Sequence, residues 1–281
     1  MTIRPRRSAL YMPASNAKAI EKARMLDCDV VILDLEDAVA PELKAEARAA
    51  AVAAVRDGGF GRRELVIRTN GIDTPWGADD LAAAAAARPD AILVPKVDDG
   101  ADVGRYAAAT GGVPLWLMIE TTRSVFRLDE IGAALAKAGS GAFVLGTNDL
   151  AKEMGARPGV LRAPFQGMLG LAVAAARANG HAILDGVYNA IDDEAGLAEQ
   201  CAQGMEFGFD GKTLIHPKQI ATCNAAFTPD AAAVEWARTI VAAFAAPENA
   251  AKGAIRVDGK MVERLHLAQA ERDLAVAEWA R

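Results

Sequence analysis

Several things are scarce in this chain, and each scarcity closes a route. Cysteine occurs three times, as Cys28, Cys201 and Cys223, an odd number with no C-x-x-C spacing. A disulfide framework and a zinc site are therefore not expected, and a reducing cytoplasm fits best. Positive charge is short: the formal net charge is −6. Non-specific nucleic-acid binding needs a basic field, so no nucleic-acid partner is expected. No uncharged apolar run approaches the ~18 residues of a membrane span, so no membrane partner is expected. The basic N-terminus MTIRPRRSALYMPASN has no long apolar stretch and does not read as a secretory signal. Histidine occurs three times, and no serine, histidine and acid are set out as a hydrolase triad.

What is present is alternation. In 281 residues, 52% of them hydrophobic, short β-branched runs are followed again and again by alanine-rich amphipathic runs. Eight strands are expected at residues 8–12, 30–35, 65–69, 91–95, 115–119, 142–146, 182–187 and 211–215. Helices are expected between them: from a cap at Ser15 to about Met25, from Pro41 onward, and over 76–88, 99–109, 123–138, 161–178, 193–205 and 217–227. Runs such as VVIL and AILV are apolar without interruption, the mark of parallel strands covered on both faces. Eight β-then-α units predict an α/β fold closed into a TIM (β/α)8 barrel. A doubly wound open sheet is the competitor, but no G-x-G-x-x-G turn follows the first strand. Residues 1–228 are read as the barrel. Residues 229–281 are read as a C-terminal helical extension: helices over 230–244 and 262–279 joined by a linker with one short strand. It acts as a lid or simply as outer packing.

In a parallel barrel the residues just past each strand converge on one mouth. Here they are Asp34, Glu36, Asp37, Arg68, Asn70, Lys96, Glu120, Asn148, Asp149, Tyr188, Asn189, Asp192 and His216. Glu120 and Asp149 follow adjacent strands, so their carboxylates can meet. Two oxygen donors without histidine or cysteine suit Mg²⁺, the alternative being ion pairs with Lys96 or Arg68. Arg68 has the planar fork to clamp a carboxylate or an oxyanion. Glu36 and Asp37 are placed to position Arg68 or metal-bound water. Lys96 is not expected to form a Schiff base, because the surrounding acids keep it protonated. His216 is read as a structural hydrogen-bonding residue or a ligand contact. Arg4, Arg6, Arg7, Lys18, Lys22 and Arg24 are basic, with Lys18 and Lys22 on one helix face. They form either a phosphate-holding strip beside the mouth or a solvated face.

The segments RSALYMPASNAKAIEKA, ILDLEDAVAP, ELVIRTNG, ILVPKV, WLMIET and VLGTNDLAKEMG occur in that order. GVYNAIDDEAG, GFDGKTLIHPKQI and GAIRVDGKMVERL follow. Together, from about residue 7 to residue 273, they resemble the HpcH/HpaI aldolase and citrate lyase beta-subunit family, most of all its stand-alone acyl-CoA lyase branch. The resemblance implies Mg²⁺ on Glu120 and Asp149, and a substrate carboxylate or carbonyl on Arg68. It also implies coenzyme A contacts at Tyr11, Lys18, Lys22 and the Ile215–His216 segment, and a homotrimer or hexamer. The activity it implies is a carbon–carbon lyase. A 3-hydroxyacyl-CoA such as malyl-, citramalyl- or citryl-CoA would be cleaved to acetyl-CoA and a 2-oxo acid, with Glu263 exchanging the proton. Two alternatives stand beside it. One is a malyl-CoA-type thioesterase. The other is a citrate lyase beta subunit dependent on an acyl-carrier protein. One position departs from the pattern: the lyases carry Asp after D-G-x-M-V, where this chain has Glu263. The extra methylene moves the carboxylate, and displacements near ~1 Å can cost ~10²-fold in rate.

Overall fold

The computed structural model describes residues 4–139, 141–249 and 251–280. They fall into two compact units, one of residues 6–224 and the other of residues 4–5 together with 225–280.

The first unit runs β1 (Ser8–Pro13), α1 (Ala17–Ala23), β2 (Val30–Asp34), α2 (Lys44–Asp57), β3 (Glu64–Arg68), α3 (Gly77–Ala87), β4 (Ala91–Val94) and α4 (Gly100–Ala109). It continues with β5 (Leu115–Ile119), α5 (Thr122–Val125), α6 (Leu128–Ala138), β6 (Gly141–Leu145), α7 (Thr147–Met154), α8 (Gln166–Ala178), β7 (Ala182–Asp185), α9 (Glu194–Phe207) and β8 (Gly211–Leu214). α10 (Ile220–Ala226) follows. The strands pair in parallel in sequence order, and β1 also pairs with β8, so the sheet closes into the expected (β/α)8 barrel.

Alternate strand residues point inward. Val30 and Ile32, Ala91 and Leu93, Trp116 and Met118, Ala142 and Val144 form one buried cluster inside the barrel. The intervening residues, such as Val31 and Leu33, are equally buried, because the helical layer covers the outer face. Trp116 is among the largest fully buried side chains, and the Arg6 guanidinium lies 5.0 Å from its ring.

Several local expectations are corrected. Asn16, not Ser15, caps α1: its side chain accepts the Ala19 N–H at 3.1 Å. The helix expected over 123–138 is broken into α5 and α6, and α7 was not anticipated at all. Arg6 and Arg7 do not form a strip beside the mouth. They precede β1 and pair with Glu64 and Asp29 at the N-terminal ends of β3 and β2, at 2.6 and 2.8 Å. The chain direction of a parallel barrel puts such residues on the floor, opposite the mouth.

The second unit holds α11 (Ala231–Ala245), β9 (Ala254–Val257), β10 (Lys260–Glu263) and α12 (Arg264–Trp279). The single strand expected there is an antiparallel hairpin, turned at Asp258–Gly259, both with positive φ. Val262 and Glu263 belong to β10 rather than to the last helix. Ile240, Phe244, Ile255, Val257 and Val262 make this unit's own small core. No helix among the described residues is long and apolar enough to cross a membrane.

Candidate active site

At the C-terminal ends of the strands lies a cavity of about 270 Å³. Tyr11, Asp34, Asp37, Arg68, Glu120 and Asp149 supply its polar wall; Met118, Leu145, Val187 and Ile215 supply its apolar wall.

Register builds the first part of the site. Asp34 and Arg68 are the last residues of β2 and β3 and are direct cross-strand partners. Their side chains therefore meet: Arg68 Nε and Nη2 donate to the two Asp34 oxygens, each at 2.6 Å. The third nitrogen, Nη1, lies 2.9 Å from Glu36 Oε2 and 3.5 Å from Asp37. The Tyr11 ring lies under the guanidinium at 4.7 Å. Asp34 also accepts the N–H groups of Glu36 and Ala38, at 2.9 and 3.2 Å, so one buried carboxylate fixes both the arginine and the turn carrying Glu36 and Asp37. Lys44, itself buried, holds that turn from behind by donating to the Leu35 and Glu36 carbonyls and to Asn70. Arg68, expected to clamp a substrate group, thus has two of its nitrogens on Asp34 and the third against Glu36. Only its Nη1 edge faces the mouth.

β5 and β6 build the second part. Glu120 follows Ile119, whose cross-strand partner is Leu145, and Asp149 stands in the first turn of α7 just beyond. Glu120 is 1% exposed. Its Oε1 accepts the Lys96 N–H at 2.8 Å, and the Lys96 ammonium stands 3.9 Å away. Burial, and then the charge of Glu36, push the Glu120 carboxyl up to about 8 against the pull of Lys96. Burial raises Glu36 as well. A Cβ on Gly146 would sit 2.4 Å from the Glu120 Cβ and 2.6 Å from its Oε2, so only glycine lets β6 turn into α7 over this carboxylate. Neither Glu120 Oε2 nor the Asp149 carboxylate has a hydrogen-bond partner among the described residues.

The other expected residues are placed as follows. Lys18 and Lys22 are exposed on α1. Ile215 reaches the cavity. His216 caps the turn after β8, its Nδ1 accepting the Lys218 N–H at 3.2 Å. Glu263 lies in the second unit at the start of α12, its N–H donating to His266 Nδ1 at 2.9 Å. A buried charged cluster not anticipated from the sequence joins β7, β8 and α9. Lys212 and Asp185, cross-strand partners on β8 and β7, are both fully buried and 2.9 Å apart. Arg162 also pairs with Asp185, and Gln200 accepts from Lys212. The signal was one charged residue of each sign inside the otherwise uncharged neighbouring strands β7 and β8. Among the described residues no group of three or more His, Cys, Asp or Glu is arranged to hold a metal ion.

Residues 7–217 match the model of the HpcH/HpaI aldolase/citrate lyase family. The chain belongs to that family. It is 48% identical over 274 residues to a (3S)-malyl-CoA thioesterase of Cereibacter sphaeroides, covering 98% of this chain and 95% of the relative. It is 34% identical to an L-malyl-CoA/beta-methylmalyl-CoA lyase of the same organism, covering 95% and 93%. The structure of CitE from Mycobacterium tuberculosis, in complex with magnesium, acetoacetate and coenzyme A, superposes with a TM-score of 0.76 at 31% identity, covering 98% of each chain. These findings overturn the expectation of a carbon–carbon lyase. The relatives at 46–48% identity are named thioesterases, and the lyases stand at 34%. With the lyase goes the 2-oxo acid product expected for it.

Proposed function

We propose that the chain is a Mg²⁺-dependent thioesterase acting on a malyl-CoA-type thioester, releasing the free hydroxy acid and coenzyme A. The observation that carries this is near-full-length identity of 46–48% to (3S)-malyl-CoA thioesterases. The mouth agrees with it, presenting acid groups and Arg68 beside an apolar wall of Met118, Leu145, Val187 and Ile215.

Glu120 and Asp149 are the residues that would hold the ion. The fit is chemical: two carboxylate oxygens without a protein partner, one on a deeply buried acid crowded by Glu36, are a hard-donor pair that a divalent cation satisfies. When bound, Mg²⁺ supplies Lewis-acid polarisation of substrate oxygens. Arg68 offers Nη1 to the substrate carboxylate or to the oxyanion that forms as water adds to the thioester carbonyl. Glu36, with a buried oxygen lacking an aligned hydrogen bond, takes the proton of that water. Asp37 stands at the rim of the same turn. Tyr11 lies under Arg68, and Lys18, Lys22, Ile215 and His216 contact the coenzyme A moiety. Glu263, reaching in from a neighbouring subunit, serves as the second proton carrier, and the working assembly is a homotrimer or hexamer.

The test is to incubate purified protein with Mg²⁺ and malyl-CoA, and to follow both free thiol and 2-oxo acid. Thiol and malate without glyoxylate are expected. Glyoxylate and acetyl-CoA without free thiol would sink the proposal.

A further inference from the structure

Lys96 stands two residues after the end of β4 with φ +52°, a left-handed backbone that a residue with a Cβ adopts with strain. The turn has a visible result. It aims the Lys96 N–H at Glu120 Oε1 and folds the side chain back, so that the ammonium lies 3.4 Å from Glu36 and 3.9 Å from Glu120. The mouth gathers five carboxylates, Asp34, Glu36, Asp37, Glu120 and Asp149, against two cations, Arg68 and Lys96. Formally it is three charges negative. Arg68 is spoken for, with two nitrogens on Asp34 and the third on Glu36. Lys96 differs: its side chain is 53% exposed, and neither contact is a tight one.

We propose that Lys96 sets the charge balance of the mouth, weakening its hold on a divalent cation while admitting an anionic substrate. The ammonium shares Glu120 with the cation, from the Oε1 side, so the two repel across one carboxylate. It also offsets Glu36 and Glu120 for an arriving carboxylate. Removing this charge therefore moves the two affinities in opposite directions, which a merely distorted site does not do.

This inference rests on the reading of Glu120 and Asp149 as cation ligands. The experiment is calorimetric titration of Mg²⁺ alone into the substrate-free wild type, Lys96→Gln, Lys96→Arg and Glu120→Ala. Lys96→Gln is expected to bind Mg²⁺ about tenfold more tightly, because a repelling ammonium 3.9 Å from Glu120 Oε1 is lost. Lys96→Arg keeps the wild-type affinity, which also shows the turn intact. With malyl-CoA at saturating Mg²⁺, Lys96→Gln raises KM by a similar factor. Unchanged or weaker Mg²⁺ binding in Lys96→Gln overturns the inference. Wild-type Mg²⁺ binding in Glu120→Ala instead overturns the reading of the cation ligands.

Discussion

Asp34 shows how much one buried carboxylate can organise. It holds Arg68 through a bidentate pair and the Glu36–Asp37 turn through two backbone N–H groups. Asp34→Asn keeps the shape and removes the charge, leaving the buried Arg68 guanidinium without its bidentate carboxylate and with Glu36 alone close by. A loss of about 3–5 kcal/mol in stability is expected, read by denaturant unfolding. A fall of about 10²-fold in kcat/KM is expected with it, because the Nη1 edge is no longer aimed. Glu120→Gln tests the other half of the mouth. It keeps the volume and removes the ionisable group, so Mg²⁺ binding by calorimetry should fall at least tenfold while the melting temperature stays near wild type or rises. Loss of a buried acid crowded by Glu36 relieves repulsion. Unaltered Mg²⁺ binding would remove Glu120 from the cation site.

Junctions between elements carry the site as much as side chains do. The β6-to-α7 junction works because Gly146 has no Cβ. Gly146→Ala puts a methyl 2.4 Å from the Glu120 Cβ. Activity should fall by ~10²-fold with Glu120 displaced, and a crystal structure of the variant should show that displacement. The β7–β8 pair rests on Asp185, Lys212 and Arg162. Burial alone would raise the Asp185 carboxyl, but Lys212 and Arg162 bring it below the usual carboxylate range. Its contribution is therefore complete above the unfolded-state value of ~3.9 and fades as pH falls through the lower folded value. Melting temperature measured from pH 7 down to pH 3 should drop more steeply for wild type than for Asp185→Asn. The variant starts about 3–5 kcal/mol less stable, with two buried cations unpaired. Equal slopes would show that Asp185 does not make this contribution.

The whole barrel depends on residues sent inward from most of its strands, with Trp116 the largest of them. Trp116→Ala should cost about 3–5 kcal/mol, measured by denaturant unfolding, because the surrounding strands cannot collapse into the space. At this scale the sequence by itself determined a great deal. Uninterrupted apolar runs alternating with amphipathic ones specify parallel strands under helices, since each face must be buried. Chain direction then sends the residues after each strand to one mouth. Glu120, Asp149, Arg68 and Lys96 were found this way, because strand order is local information. Tertiary structure alone decided which of those groups are engaged and which stay open. The pairing of Asp34 with Arg68, and of Asp185 with Lys212, depends on the register between strands 34 and 27 residues apart in the chain. A register shift of one residue would reverse the faces and part the charges. That is why Arg68, a clamp when read from its motif, has its three nitrogens against Asp34 and Glu36, while Lys96 makes only looser contacts with Glu36 and Glu120.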